Sequence, residues 1–190
     1  MKFDIVLGGV GGQGVLSMAG LIGRAAVLEG LQAKQSEVHG MAQRGGAVQA
    51  HLRLSDGVIE SDLIPRGGAD LVLSLEPVEA LRYVPWLSPT GTVISSCNAL
   101  VNIPNYPDTD AIVARIRALP HACVIEAERL ADEAGERLAV NTVMVGAASR
   151  VLPLKYESLE ESVRLTFGRK GERVMNLNLA AFAAGRKAFA

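Results

Sequence analysis

Gly9-Val10-Gly11-Gly12-Gln13-Gly14 satisfies the pattern G-x-G-x-x-G and lies between a short apolar run at residues 3–7 and a helix-periodic stretch at residues 13–28. Residues this small let the backbone turn tightly, and the free N–H groups at the start of the helix attract a phosphate or a carboxylate. Glu37 follows about twenty residues later, near the end of a second strand, where a dinucleotide-binding fold places the acid that holds a ribose. Three uses of the turn stay open from these residues: close packing of helix on strand, a nucleotide-like or phosphate ligand, and NAD(P). A second candidate is the loop Ser36-Glu37-Val38-His39-Gly40-Met41-Ala42-Gln43-Arg44-Gly45-Gly46, placed just after a strand. In it Arg44, followed by Gly45 and Gly46, suits bidentate contact with an anion, or else is simply solvated.

Other chemistries find less support. His39, His51 and His121 have no ligand spacing, so no metal ligands are assigned. Cys97 and Cys123 stand far apart without a CxxC, and an iron–sulfur cluster wants about four thiolates, so two buried structural thiols are expected. No G-x-S-x-G elbow and no P-loop occur, and no catalytic residue is assigned. Arg169, Lys170, Arg173, Arg186 and Lys187 make the C-terminal segment basic, which reads as a solvated helix face or as a dock for an acidic partner surface.

Elements must position these residues. The run at 3–7 reads as a strand, 13–28 as a helix stopped by Gly30, and 32–38 as a second, less apolar strand. Residues 48–54 alternate Val48, Ala50, Leu52 and Leu54 against Gln49, His51 and Arg53, which predicts a half-exposed strand. Ser55-Asp56-Gly57 predicts a turn, and Val58-Ile59 a return strand, so an antiparallel hairpin is expected at 47–64. The α/β pattern then resumes with strands at 70–75, 92–96 and 122–126 and helices at 77–83, 110–119 and 127–134. The C-terminal part reads as helices at 141–151, 156–167 and 171–189. The fold class expected is α/β: a three-layer, mostly parallel, doubly wound sheet with one antiparallel hairpin insertion and a helical C-terminal part.

Composition agrees. The 190 residues fit one domain over 1–190. With 49% hydrophobic but only 4% aromatic residues, the core is built from aliphatic side chains, as in covered parallel sheets. A net charge of −1 and a pI of about 6.3 argue against nucleic acid. No apolar run approaches the ~18 residues of a membrane span, and no signal-peptide pattern opens the sequence, so a cytoplasmic protein without membrane contact is expected.

Taken together, the segments resemble the gamma subunit or domain of the 2-oxoacid:ferredoxin oxidoreductases. The motif runs Gly9-Val10-Gly11-Gly12-Gln13-Gly14-Val15, the post-strand loop begins Ser36-Glu37-Val38-His39-Gly40, and the aspartate-led strand is Ala69-Asp70-Leu71. A later buried helix is led by Asn141. Residues 39–46 and Leu75-Glu76-Pro77-Val78-Glu79-Ala80 look most like the small (beta) subunit of the indolepyruvate oxidoreductases. The resemblance implies a subunit, inactive alone, of a complex that oxidatively decarboxylates indolepyruvate or another aryl pyruvate to acyl-CoA and CO2. Thiamine diphosphate, Mg2+ and the iron–sulfur clusters would sit on a large catalytic partner that passes electrons to ferredoxin, and this chain alone would bind no cofactor. Its expected contribution is to complete the active-site wall and help bind coenzyme A or gate its access, by means of the anion-friendly turn at Gly11–Gly14 and Arg44. The cofactor-binding candidates are Gly9, Gly11, Gly12, Gln13, Gly14, Glu37, Arg44 and Gly45. The rival readings are a stand-alone NAD(P)-binding oxidoreductase and a purely structural subunit. A docking subunit should also expose an apolar patch larger than the few hundred Å2 usual on monomers.

Overall fold

The computed structural model describes residues 1–40 and 45–189. Six strands form one sheet in the order β2-β3-β1-β4-β5-β6: β1 (Lys2–Val10), β2 (Gln32–His39), β3 (Ala47–Ser55), β4 (Ala69–Ser74), β5 (Leu87–Ser96) and β6 (Ala122–Ile125). β1, β4, β5 and β6 run parallel, and β3 lies antiparallel to both of its neighbours, β1 and β2. Alternation assigns the two sheet faces. Ile5, Leu7, Leu52, Leu71, Leu73 and Ile94 point into one core, while Val6, Val72 and Val93 point into the other.

Helices cover both faces, so the three-layer, mostly parallel α/β class holds. On the first face lie α1 (Val15–Leu28), α4 (Ala127–Glu133), α5 (Val140–Ala148) and α6 (Tyr156–Phe167), with α7 (Glu172–Ala188) packed over α5. On the second lie α2 (Pro77–Arg82) and α3 (Thr109–Arg117). Helix α1 buries Val15, Met18, Ala19, Ile22, Ala25 and Ala26, the stripe its spacing predicts. It ends where Gly30 turns to φ +76, with Leu31 N donating to Ala26 O at 3.0 Å, a Schellman closure. Helix α5 is buried from Thr142 to Ala148 because it is sandwiched between sheet and α7. The two helices touch backbone to backbone. A Cβ built on Gly146 would lie 2.0 Å from Phe182 O, and one on Gly185 would lie 1.9 Å from Val143 O.

The hairpin expected at 47–64 is corrected. Its first strand is present as β3, and Gly57 N donates to Ser55 Oγ at 3.0 Å in the turn, but residues 58–64 form no strand. Both edges of β3 are already taken, by β1 and by β2, so no ladder is left for a return. The antiparallel partners of β3 are the two earlier strands, β1 and β2, between which it lies.

Residues 58–64 instead cross the face of β2 and β3 opposite α1, held by individual bonds. Lys34 Nζ donates to Ile59 O at 2.6 Å, Ser36 Oγ to Asp62 O at 3.4 Å, and Arg53 Nη1 to Ser61 O at 2.9 Å and Leu63 O at 3.1 Å. Ile64 N donates to His51 Nδ1 at 2.8 Å. That donor leaves Nδ1 bare and puts the ring proton on Nε2, which faces the Gln49 carboxamide at 2.9 Å. The face read as half-exposed is therefore covered, with His51 only 6% exposed. Arg53 also pairs Asp4, which is fully buried, through Nε to Oδ1 at 2.9 Å and Nη2 to Oδ2 at 3.1 Å.

Candidate functional site at the glycine turn

β1 runs into the turn through two glycines whose missing side chains matter. A Cβ on Gly8 would meet the Tyr83 ring at 2.9 Å, and one on Gly9 would meet Val15 Cγ2 at 2.7 Å. Gly12 (φ +103) and Gly14 (φ +87) take left-handed conformations that L side chains avoid. Gln13 braces the turn from inside: Val10 N donates to Gln13 Oε1 at 2.8 Å, and Gln13 N to Val10 O at 3.0 Å. Gly11 extends the β1–β3 ladder, donating to Gly46 O at 2.8 Å and accepting from Gly45 N at 3.1 Å. Gly45 O in turn accepts from Asn102 Nδ2 at 2.6 Å, which ties the loop after β5 to the same place.

Val10, Gly11, Gly12, Gly14, Leu16, Glu37 and His39 line a cleft of about 410 Å3 at the carboxyl end of β1. The turn and Glu37 are thus brought together as expected, although they come from strands separated by β3. Gly9 and Gln13 do not line this cleft; they shape it. Gly45 lines a neighbouring cavity of about 190 Å3 with Glu76, Glu79, Arg82, Asn102 and Tyr106. Arg44 lies outside the described residues. Helix α1 starts at Gly14 without a side-chain cap; Ser17 N turns back to Gly14 O at 2.9 Å, and the N–H groups of Val15 and Leu16 remain available to an anion.

Several site residues escaped sequence reasoning. His39, read as part of the candidate loop but not assigned a site role, lines the main cleft. Asn141, singled out only as the leader of a buried helix, abuts the turn, its Nδ2 lying 2.4 Å from where a Gly14 Cβ would be. Glu76 is 1% exposed: its Oε2 accepts from Glu79 N at 2.9 Å to cap α2, and its Oε1 accepts from the Tyr106 hydroxyl. Glu76 followed by Pro77 was a readable helix-start signal, since proline favours the first helical position. Burial raises the pKa of Glu79 above the usual carboxylate range, against the opposing pull of Arg82, and burial likewise raises both Tyr83 and Tyr106.

Burial raises the Cys97 thiol, the wrong direction for a nucleophile. Among the described residues no group of three or more His, Cys, Asp or Glu gathers to hold a metal ion. The C-terminal cations are only partly a free face. Arg186 Nη1 donates to Ser149 O at 2.9 Å and Oγ at 2.7 Å and its guanidinium lies 5.1 Å from the Tyr156 ring centroid, so Arg186 pins α7 to the end of α5. No helix among the described residues is long and apolar enough to cross a membrane.

Comparisons with known proteins bear on the chain as a whole. The indolepyruvate oxidoreductase subunit IorB of Archaeoglobus fulgidus is 39% identical over 194 aligned residues, covering 97% of this chain and 94% of that protein. The 2-oxoglutarate:ferredoxin oxidoreductase of Magnetococcus marinus, solved with 2-oxoglutarate, coenzyme A and succinyl-CoA bound, superimposes with a TM-score of 0.77 at 20% identity. That match covers 99% of this chain and 31% of the larger one. The gamma subunit of a keto/oxoacid ferredoxin oxidoreductase from Geobacter sulfurreducens matches over 98% of both chains, with a TM-score of 0.72 at 23% identity. These two likenesses establish the fold. Residues 4–188 match the model of the pyruvate ferredoxin/flavodoxin oxidoreductase family, and the chain belongs to that family.

Proposed function

We propose that the chain is the small subunit of an indolepyruvate-type 2-oxoacid:ferredoxin oxidoreductase, inactive alone and working in the cytoplasm as one gamma-type domain over 1–190. The observation that carries this reading is the near full-length similarity to an indolepyruvate oxidoreductase subunit, joined to an open cleft at the glycine turn. The partner is a large catalytic subunit that holds thiamine diphosphate, Mg2+ and the iron–sulfur clusters and serves ferredoxin. Two separated cysteines do not fit a cluster on this chain.

The role assigned here is a wall of the coenzyme A site. Gly9, Gly11, Gly12, Gln13 and Gly14 form the turn, Glu37 and Gly45 flank it, and Arg44 supplies positive charge. The uncapped start of α1 suits a phosphate, which supports that assignment. Exposed Leu16, Val38, Leu100, Val101, Ile103 and Leu138 give a partner apolar surface to cover. The NAD(P) reading is not favoured: Glu37 does reach the cleft, but the relative and solved structures it resembles are 2-oxoacid oxidoreductase chains.

The test is co-expression with the large subunit, followed by anaerobic viologen reduction driven by indolepyruvate and coenzyme A. Activity that needs both chains supports the proposal. Full activity of the large subunit alone, or tight NAD(H) binding by the small chain with no complex formed, overturns it.

A further inference from the structure

A third cavity, also of about 190 Å3, lies behind the glycine turn, where Gly12 and Gln13 meet Asn98, Glu128, Arg137 and Asn141. Its lining is rich in donors that have nothing to donate to. Asn98 Oδ1 accepts from Ser96 Oγ at 2.9 Å and from Glu128 N at 3.2 Å. A backbone N–H can only donate, so these bonds fix which end of the amide is oxygen and leave Asn98 Nδ2 without an acceptor among the described residues. Gln13 is oriented the same way, its Oε1 taken by Val10 N, which leaves its Nε2 unused. The Asn141 amide has no hydrogen-bond partner and the Arg137 guanidinium has no acidic partner among the described residues. The one carboxylate in the lining, Glu128, and the one cation, Arg137, are both on exposed residues.

The contrast with the front cleft is one of charge. The front carries Glu37 with no cation in its lining, whereas the back carries Arg137 beside Glu128, together with three carboxamides. We propose that this rear cavity is an anion subsite that takes a single phosphate or carboxylate group, with Arg137 as its charged anchor and Asn98 and Asn141 as neutral donors. A cavity of this size holds such a group but not a whole nucleotide cofactor. The proposal rests on the coenzyme A reading only for the anion's source: a phosphate of the cofactor rather than the carboxylate of the 2-oxoacid.

The test uses inorganic phosphate as probe. Titrated into the full 190-residue chain and followed by NMR, phosphate should shift the side-chain amide signals of Asn98 and Asn141 saturably. Arg137→Ala should weaken that binding about tenfold, the scale of one charge-assisted hydrogen bond, while Glu128→Gln should tighten it. Arg150→Ala, a cation on the far end of α5, should leave it unchanged. Shifts that do not saturate, or that survive Arg137→Ala in full, overturn the subsite. In the reconstituted complex, Arg137→Ala should raise KM for coenzyme A and not for the 2-oxoacid. The reverse split would assign the subsite to the substrate carboxylate and overturn the phosphate source, with the phosphate titration still supporting the subsite itself.

Discussion

The two halves of the sheet close their surfaces by different means. The β4–β5–β6 half carries helices on both faces, and their aliphatic stripes fill two cores. The β2–β3 half carries α1 on one face and, on the other, an irregular strap at 58–64 held by Lys34, Ser36, His51 and Arg53. A helix-covered face rests on area and close packing, which many residues share. A strapped face rests on a few directed bonds, each of which can be lost singly.

Substitutions should separate the two. The largest effect belongs to the packed half. Gly146→Ala places a Cβ 2.0 Å from Phe182 O, which forces α5 and α7 apart and should cost about 3 kcal/mol, read as a fall in the denaturant midpoint. On the strapped half, Arg53→Met strands the buried Asp4 carboxylate and frees Ser61 O and Leu63 O. Lys2 Nζ remains 2.8 Å from Asp4, so the loss should be about 2 kcal/mol, below the range for a fully orphaned buried charge. The mutant should also expose residues 58–64 to proteolysis first, which Gly146→Ala should not do.

Acid should loosen the strap before the packed half. Desolvation is the main reason the His51 pKa lies below its ordinary value; Arg53 adds to the lowering, while Asp62 and Asp4 oppose it. A group whose folded pKa is depressed contributes stability above its unfolded value of about 6.5 that is lost as pH falls through the folded one. The protection factor of the Ile64 amide, its exchange rate corrected for the intrinsic fall with acid, should therefore decrease below about pH 6.5, and His51→Gln should flatten that dependence. An unchanged Ile64 protection factor down to about pH 5 would contradict the Nδ1 bond as the strap's clasp. The smallest effect is expected for Ser36→Ala, within about 0.5 kcal/mol, because its contact with Asp62 O is 3.4 Å long.

This difference also decides what was legible in the sequence. Helix α6 fell on 156–167 as its periodicity predicts, and α1, β4 and α3 lie within a residue or two of expectation, because helix stripes and strand runs repeat along the chain. The strap has no period. Ser55-Asp56-Gly57 does turn, but whether a strand returns depends on whether β3 has a free edge, which is a property of the whole sheet. The site divides the same way. Glycines at positive φ announce a turn locally, and Glu37 follows at a readable distance. Asn98, Arg137 and Asn141 reach the back of that turn from the loop after β5, the 3-10 turn before α5 and the start of α5, and nothing in their spacing marks the convergence.

The most direct test of the central claim, that this chain forms a coenzyme A-binding wall for a larger catalytic partner, is the KM for coenzyme A of the reconstituted complex carrying Arg44→Ala. The account predicts an increase of about tenfold, the worth of one charge-assisted contact, with KM for the 2-oxoacid unchanged. An assembled Arg44→Ala complex with both constants at their original values would contradict it and leave the chain a structural subunit.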